Sequence, residues 1–300
     1  MTTTREIKTR IKSVKDTQKI TRAMYLIASN KLRKAKSELD LTRPYFNLLR
    51  TEINRIFTFS EKTDSKYIYS SDGVGDFTAP FGYLIITADK GMAGAYNQNI
   101  IKETLKIITE HKEPKLFVVG EYGRRYFEMH NIPIESSFFY TDQNPTLHRA
   151  REISSNLMQA YDSGLISKLF VIYTDMKDAI NFHVCTTELL PLHRAHFGDN
   201  ENNGFESDSE FEFVPSVNEV LDNAVPSYVT GFVYSTLVDS FCSEQNARMS
   251  AMDSANRNAQ EIIDDLKIKY NHIRQSVITQ EITEVSSAAK SMKRKAKKVL

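Results

Sequence analysis

Two short segments of this sequence have residue types and spacings that suit chemistry, and the first is a glycine-containing stretch. The stretch Asp89-Lys-Gly-Met-Ala-Gly-Ala-Tyr-Asn97 follows an apolar run and opens a helical pattern, where backbone N–H groups can bind an anion. Its glycines, Gly91 and Gly94, are three positions apart, so both G-x-G-x-x-G and G-x-x-x-x-G-K-[ST] are absent. We therefore interpret the stretch as a tight strand-to-helix turn and predict no cofactor.

The second segment contains two histidines, His193 and His196, whose three-residue spacing suits a metal on a helix. Pro191 precedes them, the segment has an extended pattern, and no carboxylate stands at a matching spacing, so we predict no metal site. The sequence also has no G-x-S-x-G motif and no Ser/His/Asp grouping, so no catalytic residue is predicted.

Charge is nearly balanced overall, with 39 basic and 38 acidic residues, but it is sorted along the chain. Residues 5–36 carry eleven Lys/Arg and two acids, residues 199–212 carry six acids, and residues 286–300 carry six bases. This sorting favours partners that meet particular segments. The basic N-terminal run is open to three interpretations: a solvated face, a contact for acidic proteins, or a nucleic acid site, although the last lacks interleaved aromatic residues.

Compartment and membrane association follow from two further features. The only cysteines, Cys185 and Cys242, do not indicate a disulfide framework, so a reducing compartment is expected. No apolar run approaches the roughly 18 residues that a membrane span requires. We interpret the basic amphipathic N-terminus as mature structure in a cytoplasmic protein.

Both ends of the chain lack helix breakers, since all 11 glycines and 8 prolines lie between Pro44 and Gly231. A heptad seam of apolar or uncharged residues runs through the N-terminal segment. Its members are Ile7, Ile11, Val14, Gln18, Thr21, Tyr25, Ala28, Leu32, Ala35, Leu39, Thr42, Phe46, Leu49, Ile53 and Ile56. Pro44 lies off this seam and is predicted to kink or break the helix.

The C-terminal segment carries a matching stripe, closer to an eleven-residue repeat. Its members are Met252, Ala255, Ala259, Ile262, Leu266, Tyr270, Ile273 and Val277. Two long helices at opposite ends of one chain are expected to run antiparallel. A second apolar stripe on the N-terminal helix, formed by Ile20, Met24 and Ile27, cannot enter the same two-stranded seam and is predicted to face an outside partner.

The middle of the chain alternates short apolar runs with helical patterns, which is typical of a mainly parallel, Rossmann-like α/β domain. Strands are predicted at 83–87, 115–119, 134–139 and 168–173, helices at 96–111, 121–130 and 146–162, and added edge strands at 181–192 and 211–214. The predicted organisation is an N-terminal coiled-coil helix at 1–59, a loop at 60–80, the α/β domain at 81–215, a C-terminal coiled-coil helix at 216–285 and a basic tail at 286–300.

Four motifs resemble one family, the gamma subunit of bacterial-type rotary ATP synthases. The terminal motifs are Arg5-Glu-Ile-Lys-Thr-Arg-Ile-Lys-Ser-Val-Lys-Asp-Thr-Gln-Lys-Ile-Thr-Arg-Ala-Met24, Ser243-Glu-Gln-Asn-Ala-Arg-Met-Ser-Ala-Met-Asp253 and Arg274-Gln-Ser-Val-Ile-Thr-Gln-Glu-Ile-Thr-Glu284. The stretch 87–97 resembles the family's middle-domain motif, with Met-Ala-Gly-Ala where Leu-Cys-Gly-Gly is usual. Asp89, Gly91, Gly94 and Asn97 are its motif residues here.

The resemblance implies a non-catalytic rotor shaft, one copy per complex. It implies as partners three alpha and three beta subunits, an epsilon subunit and a membrane c-ring, but no nucleic acid. It also implies a peripheral position on the cytoplasmic face of the plasma membrane. A coiled-coil scaffold or nucleic-acid-binding protein is the alternative, and an α/β enzyme with helical arms is a third.

By the same resemblance, two sets of residues are predicted to contact the alpha/beta hexamer. The N-terminal set is Lys8, Lys12, Lys19, Arg22, Met24, Lys31, Arg33 and Lys34, and the C-terminal set is Arg248, Gln275, Thr279 and Glu281. The chain departs from the family at Ser286-Ser287, where glycines are common, and in the basic tail that follows. Removal of that tail is predicted to leave assembly intact.

Overall fold

A computed structural model of the chain describes residues 4–59, 65–69, 79–111, 113–139, 145–175, 183–193 and 213–296. The chain divides into two compact units, one of Met1–Ile27 with Ser250–Leu300 and one of Ala28–Met249. Two long helices, α1 (Thr4–Phe59) and α5 (Val217–Ala296), each contribute residues to both units.

The unit Ala28–Met249 contains a five-stranded sheet. Its strands are β1 (Phe81–Ile86), β2 (Lys115–Val119), β3 (Ser136–Phe138), β4 (Lys168–Asp175) and β5 (His183–Leu190). They lie in the order β3-β2-β1-β4-β5, in which β1 to β4 are parallel to one another and the edge strand β5 is antiparallel to β4. The shorter helices are α2 (Tyr96–Glu110), α3 (Glu121–Met129) and α4 (Leu147–Asp162).

Successive side chains along the central strands point to opposite faces of the sheet, so the core of this unit is divided between those two faces. Leu84 and Ile86 belong to a buried cluster with residues of α4 and of the α1 and α5 segments. Tyr83 and Ile85 belong to a second cluster with residues of α2 and α3. Because both faces are covered, the strands read as continuous apolar runs, and the predicted parallel α/β domain is confirmed.

Within the same unit, α1 and α5 pack closely against each other. The Phe46 ring lies 6.1 Å from the Tyr234 ring, measured between centroids. A Cβ atom on Gly231 would lie 2.0 Å from Cδ1 of Phe46, so only glycine permits this approach of the two helices.

The unit Met1–Ile27 with Ser250–Leu300 contains a second stretch of the same helix pair. Gln18 Nε2 donates to the Asn256 carbonyl at 3.3 Å and to Gln260 Oε1 at 3.4 Å. Thr21, one turn later on α1, donates to the Asn256 side chain. Gln18 reaches as far along α5 as Gln260, whereas the later residue Thr21 contacts the earlier residue Asn256. The two helices are therefore antiparallel here, as predicted.

The heptad seam of α1 is confirmed along its whole length, since each of its fifteen residues is buried or half-buried. The stripe on α5 needs correction at two of its predicted members, Ile262 and Val277. Ile263 is 2% exposed and packs in the seam, whereas its neighbour Ile262 is 45% exposed. The predicted member Val277 is also exposed, as is every residue from 274 to 290.

Pro44 was expected to kink or break the helix. It does not break the helix, because α1 continues through it to Phe59. Pro44 is exposed, and seam residues on both sides of it, Leu39 and Phe46 among them, pack into the core of their unit. This packing offsets a penalty of about 3 kcal/mol for proline inside a helix. Helix α5 likewise contains Pro226.

The predicted secondary structure otherwise matches to within a few residues, with β5 at the predicted edge position. The expected strand at 211–214 is not found at residues 213 and 214, and residues 211 and 212 lie outside the described residues. Helix α5 continues beyond the predicted boundary at 285 as far as Ala296.

Candidate functional site

The glycine-containing stretch lies where a doubly wound sheet ordinarily binds its ligand. It follows β1, and β1 pairs on one side with β2 and on the other with β4, so the strand order reverses at this point. Crevices at the carboxyl ends of strands beside such a switch point are the usual ligand sites of open α/β sheets. We refer to this place as the switch-point crevice.

Polar side chains in the stretch bind backbone groups of the protein itself. Asn97 Oδ1 accepts the Ala88 N–H at 2.9 Å, and Asp89 Oδ1 accepts the Glu121 N–H at 3.1 Å. Gly94 has a φ of +56°, a left-handed conformation that suits glycine in a tight turn. These contacts hold a compact turn, in agreement with the prediction of a structural strand-to-helix connection.

Helix α5 enters the switch-point crevice with a stripe of hydroxyl groups. Ser240 Oγ accepts the Thr174 N–H at 3.3 Å, and Ser243 Oγ donates to the Thr174 carbonyl, also at 3.3 Å. Both serines are buried, and so is Tyr96 at the start of α2. Burial raises the pKa of Tyr96, which therefore stays neutral. Side chains of α5 therefore bind the protein backbone at the carboxyl end of β4, beside the place where related architectures bind a ligand.

One buried ion pair completes the contact between α5 and the turn. Arg248 Nη2 lies 2.6 Å from Glu244 Oε1 and donates to the Gly91 carbonyl at 3.3 Å. The two side chains are 12% and 13% exposed. Burial raises the pKa of Glu244, while the charges of Arg248 and Lys31 act in the opposite direction.

The structure separates the predicted contact residues of α1 onto different faces. Lys8, Lys12, Lys19 and Arg22 are exposed and recur at helical spacing, so they share one side of the helix. Lys19 pairs with Asp16 at 3.1 Å. These four residues form what we call the basic face.

Met24 lies away from the basic face, next to two exposed apolar residues. Ile20 is 61% exposed and Ile27 is 56% exposed, whereas Met24 itself is half-buried. The three residues follow helical spacing, which gives α1 a second apolar stripe outside its seam, as predicted.

The remaining predicted contact residues lie in different environments. Further along α1, Lys31 is half-buried, while Arg33 donates to Asn30 and Lys34 lies 3.8 Å from Glu38. On α5, Gln275 and Thr279 are exposed one turn apart on one face, and Glu281 is exposed two positions later on another. Arg248 is the only predicted contact residue on α5 that is not exposed.

In the histidine segment, His193 makes contacts with neighbouring side chains of the fold. The His193 ring stacks on the Tyr69 ring at 3.7 Å between centroids, and its Nε2 lies 3.5 Å from Glu188 Oε2. His196 lies outside the described residues. Within the part of the chain that is described, no group of three or more His, Cys, Asp or Glu side chains could hold a metal ion.

Sequence reasoning missed the polar stripe on α5 at the switch-point crevice. Thr236, Ser240 and Ser243 recur at helical spacing and are all buried. They interrupt an apolar helix, and polar residues at helical spacing inside a buried face signal hydrogen bonds to another element. The polar pattern was visible in the sequence, but it did not reveal which backbone donor and acceptor on β4 these side chains bind.

Comparison with known proteins finds similarity along nearly the full chain. A family model described as ATP synthase matches residues 3–292. The ATP synthase gamma chain of Caldanaerobacter subterraneus subsp. tengcongensis is 42% identical over 292 residues, covering 95% of this chain and 98% of the relative. The sodium-ion-specific gamma chain of Acetobacterium woodii is 34% identical over 300 residues, covering 96% and 98%.

Solved structures give the same result for the fold. A chain of the Tetrahymena thermophila mitochondrial ATP synthase central stalk and c-ring superposes with a TM-score of 0.56 at 25% identity, covering 79% of this chain and 99% of that one. A chain of the Euglena gracilis mitochondrial ATP synthase superposes with a TM-score of 0.66 at 14% identity, covering 96% and 94%. Among the described residues, no helix is both long and apolar enough to cross a membrane.

Proposed function

Because this chain belongs to the gamma-chain family of the ATP synthases, we propose that it is the central rotor shaft of such an enzyme. It couples ion flow through a membrane ring to ATP synthesis or hydrolysis at an alpha/beta hexamer by rotating inside it. The observation that carries this proposal is the 42% identity to a gamma chain over 95% of the sequence. The antiparallel helix pair supports it, since all three terminal motifs lie on those helices.

The chain is a non-catalytic subunit, and ATP is made or hydrolysed on the beta subunits. The switch-point crevice agrees with this role, because α5 side chains bind the backbone there. The protein contributes to the reaction of the complex by its contacts with other subunits.

The partners are three alpha and three beta subunits, an epsilon subunit and the membrane c-ring, with one copy of this chain per complex. Relatives in solved complexes support this assignment, since one structure contains the central stalk with its c-ring and another contains F1 with its c-ring. The chain is a peripheral part of the complex. We place it on the cytoplasmic face of the plasma membrane, and nucleic acid is not among its partners.

Rotation can bias the beta subunits because the surface of α1 differs from side to side. One side presents the basic face, and another presents the exposed apolar residues Ile20 and Ile27. Moving a two-state site from 1:99 to 99:1 takes about 5.5 kcal/mol of differential contact. A few desolvated charge and apolar contacts supply energies of this size.

The twelve predicted contact residues are candidates for these interactions. All twelve are exposed or half-buried positions on the two helices, and Arg248 pairs with Glu244. The basic face suits acidic loops of the hexamer, and the apolar stripe suits apolar edges.

Co-expression with the alpha and beta subunits of the same organism tests the proposal. We expect one copy of the chain to co-purify with three alpha and three beta subunits, and native mass spectrometry measures that ratio. The isolated chain is expected to hydrolyse no ATP. Turnover of ATP by the pure chain, or failure to recover alpha and beta subunits, would contradict the proposed function.

The contact residues can be tested in the same complex by reversing charge. Replacing Lys8 and Lys12 together by Glu is expected to slow ATP hydrolysis by the complex, because two favourable contacts become repulsive. Lys102→Glu is the matched control, since Lys102 is an exposed lysine on α2 outside the predicted contact set. Equal effects of the two changes would rule out the basic face as a specific contact.

A further inference from the structure

Helix α5 contacts two different strand ends of the sheet through side chains on one of its faces. Ser240 and Ser243 bind both backbone groups of Thr174 near the end of β4. Eight residues after Ser240, Arg248 binds the Gly91 carbonyl in the turn after β1. At 1.5 Å per residue, the two contacts are separated by about 12 Å along the helix.

We propose that the Glu244–Arg248 pair, bound to the Gly91 carbonyl, is a rotational lock that fixes α5 to the sheet so that torque passes between them. This inference rests on the proposed function as a rotor shaft. Arg248 and Glu244 are positioning residues in this scheme, and Arg248 acts inside the chain in addition to any contact that it makes with the hexamer.

Two separated contacts are what a rotational lock requires. A helix held at one point can turn about that point, whereas contacts at two strand ends fix both its rotation and its position along its axis. Apolar packing holds α5 against the core, and the serine contacts fix it at the end of β4. The contact to Gly91 adds a directional constraint at the turn after β1.

The chemistry of the pair suits a contact that must resist force. A single guanidinium nitrogen, Nη2, serves both Glu244 and the Gly91 carbonyl, and charge-assisted hydrogen bonds are about twice as strong as neutral ones. The pair is shielded from water, so its electrostatic attraction is screened little by salt.

Helix α5 also provides a matched control pair. Arg257 Nη2 lies 3.0 Å from Asp253 Oδ2, with the same four-residue spacing and the same guanidinium group. Its side chains are 71% and 54% exposed, and a pair this exposed contributes little. A change at Arg257 removes an ion pair from α5 without removing a bond to the sheet.

The test uses the assembled complex with three variants of this chain. Glu244→Gln with Arg248→Met removes both buried charges together, which avoids leaving one of them unpaired. Arg248→Lys keeps the charge with a shorter reach and remains informative if the double variant fails to fold. Arg257→Met is the control. Two properties are measured: ions pumped per ATP hydrolysed, and amide hydrogen exchange of the segment from Gly91 to Tyr96.

We expect the double variant to hydrolyse ATP while pumping fewer ions per ATP than the wild type. Its Gly91–Tyr96 amides are expected to exchange about tenfold faster or more, because local opening is no longer opposed by the lock. Arg248→Lys is expected to lie between the double variant and the wild type, and Arg257→Met to match the wild type.

The possible outcomes separate the lock from the proposed function. Wild-type pumping and exchange in the double variant would overturn the lock while leaving the rotor role intact. An equal loss in Arg257→Met would also overturn it, because the effect would then belong to any α5 ion pair. A wild-type complex that hydrolyses ATP without pumping would overturn the proposed function itself.

Discussion

At the scale of single residues, one threonine joins three elements of the sheet unit. The Thr87 hydroxyl donates to the Val119 carbonyl at 2.7 Å and accepts the Gly123 N–H at 3.0 Å. Gly120, between the end of β2 and the start of α3, has a φ of +95°. The chain can pass this close to Thr87 only because residues 120 and 123 lack side chains.

Gly120→Ala is therefore expected to destabilise the protein by about 3 kcal/mol or more. A Cβ atom there would lie 2.2 Å from the Thr87 carbonyl oxygen, and the positive φ disfavours any other residue. Gly91→Ala is the matched control, since nothing lies within 4 Å of its Cβ position. Urea unfolding of both variants measures the difference, and equal midpoints would contradict this account of the turn.

A half-buried carboxyl group on α5, that of Asp239, makes stability depend on pH. Burial raises the pKa of Asp239 to about 6, the Asp175 carboxylate acts in the same direction, and Arg43 opposes both. The folded-state pKa lies above the ordinary value for an aspartate, which is about 3.9. The folded state therefore binds this proton more tightly than the unfolded state, and the stabilisation is complete below the unfolded pKa and is lost as the pH rises through about 6.

Asp239→Asn should accordingly stabilise the protein at about pH 8 by roughly 2–3 kcal/mol, from a pKa difference of about two units. The gain is expected to shrink toward zero at about pH 3, below the unfolded-state pKa, where the wild-type carboxyl is largely protonated in both states. Urea unfolding at the two pH values measures it. Asp265→Asn, at an exposed position on α5, is the control. A gain that does not change with pH would refute the titration of Asp239 as its cause.

At the scale of elements, helix pairing depends on which of two adjacent isoleucines is buried. The repeat read from the sequence assigned Ile262 to the α5 seam, but Ile263 packs there instead. The buried or half-buried seam positions that follow Met252 are Ala255, Ala259, Ile263, Leu266, Tyr270 and Ile273, at steps of three, four, four, three, four and three residues. The stripe was therefore predicted correctly up to Ile273 except at residue 262, while an eleven-residue repeat is not sustained beyond Ile263.

Ile263→Asp is expected to cost about 3 kcal/mol or more, because it places an unpaired charge in the seam. Ile262→Asp is expected to change stability by less than about 1 kcal/mol, since Ile262 is largely outside the seam. Thermal unfolding of the isolated chain, followed by circular dichroism at a helix wavelength, compares the two. Greater damage from the change at Ile262 would restore the original seam assignment.

At the scale of the whole molecule, the last part of α5 lies beyond its pairing with α1. Every residue from 274 to 290 is exposed, including Ile278, Ile282 and Val285. Isolated helices of this length are marginal in water, and packing normally stabilises them. Exposed apolar residues on an unpaired helix agree with the proposal that α5 is covered by other subunits in the complex.

Truncation after Val285 tests which part of this segment matters. We expect the shortened chain to unfold at the wild-type temperature and to assemble with alpha and beta subunits, because the removed residues make no described seam contact. Native gels of the co-expressed complex measure assembly. Loss of the complex would show that the basic tail is part of the interface, and a lower unfolding temperature would show that it stabilises the free chain.

The sequence alone was sufficient for the elements and for the family. Strand β2 was predicted at its observed bounds, and the α1 seam was predicted at every position, because apolar periodicity is a local property of each segment. The terminal motifs were enough to indicate a gamma chain. Tertiary structure decided the contacts between distant segments.

Three contacts of that kind could not be read from local patterns. Packing of α1 residues into their core carries the helix past Pro44, and the seam of α5 selects Ile263 over Ile262. The fit of α5 in the switch-point crevice joins Arg248 to Gly91, 157 positions apart in the chain. Periodicity shows that a helix face is buried, but the partner that covers it depends on how remote segments meet in space, and only the folded chain determines that.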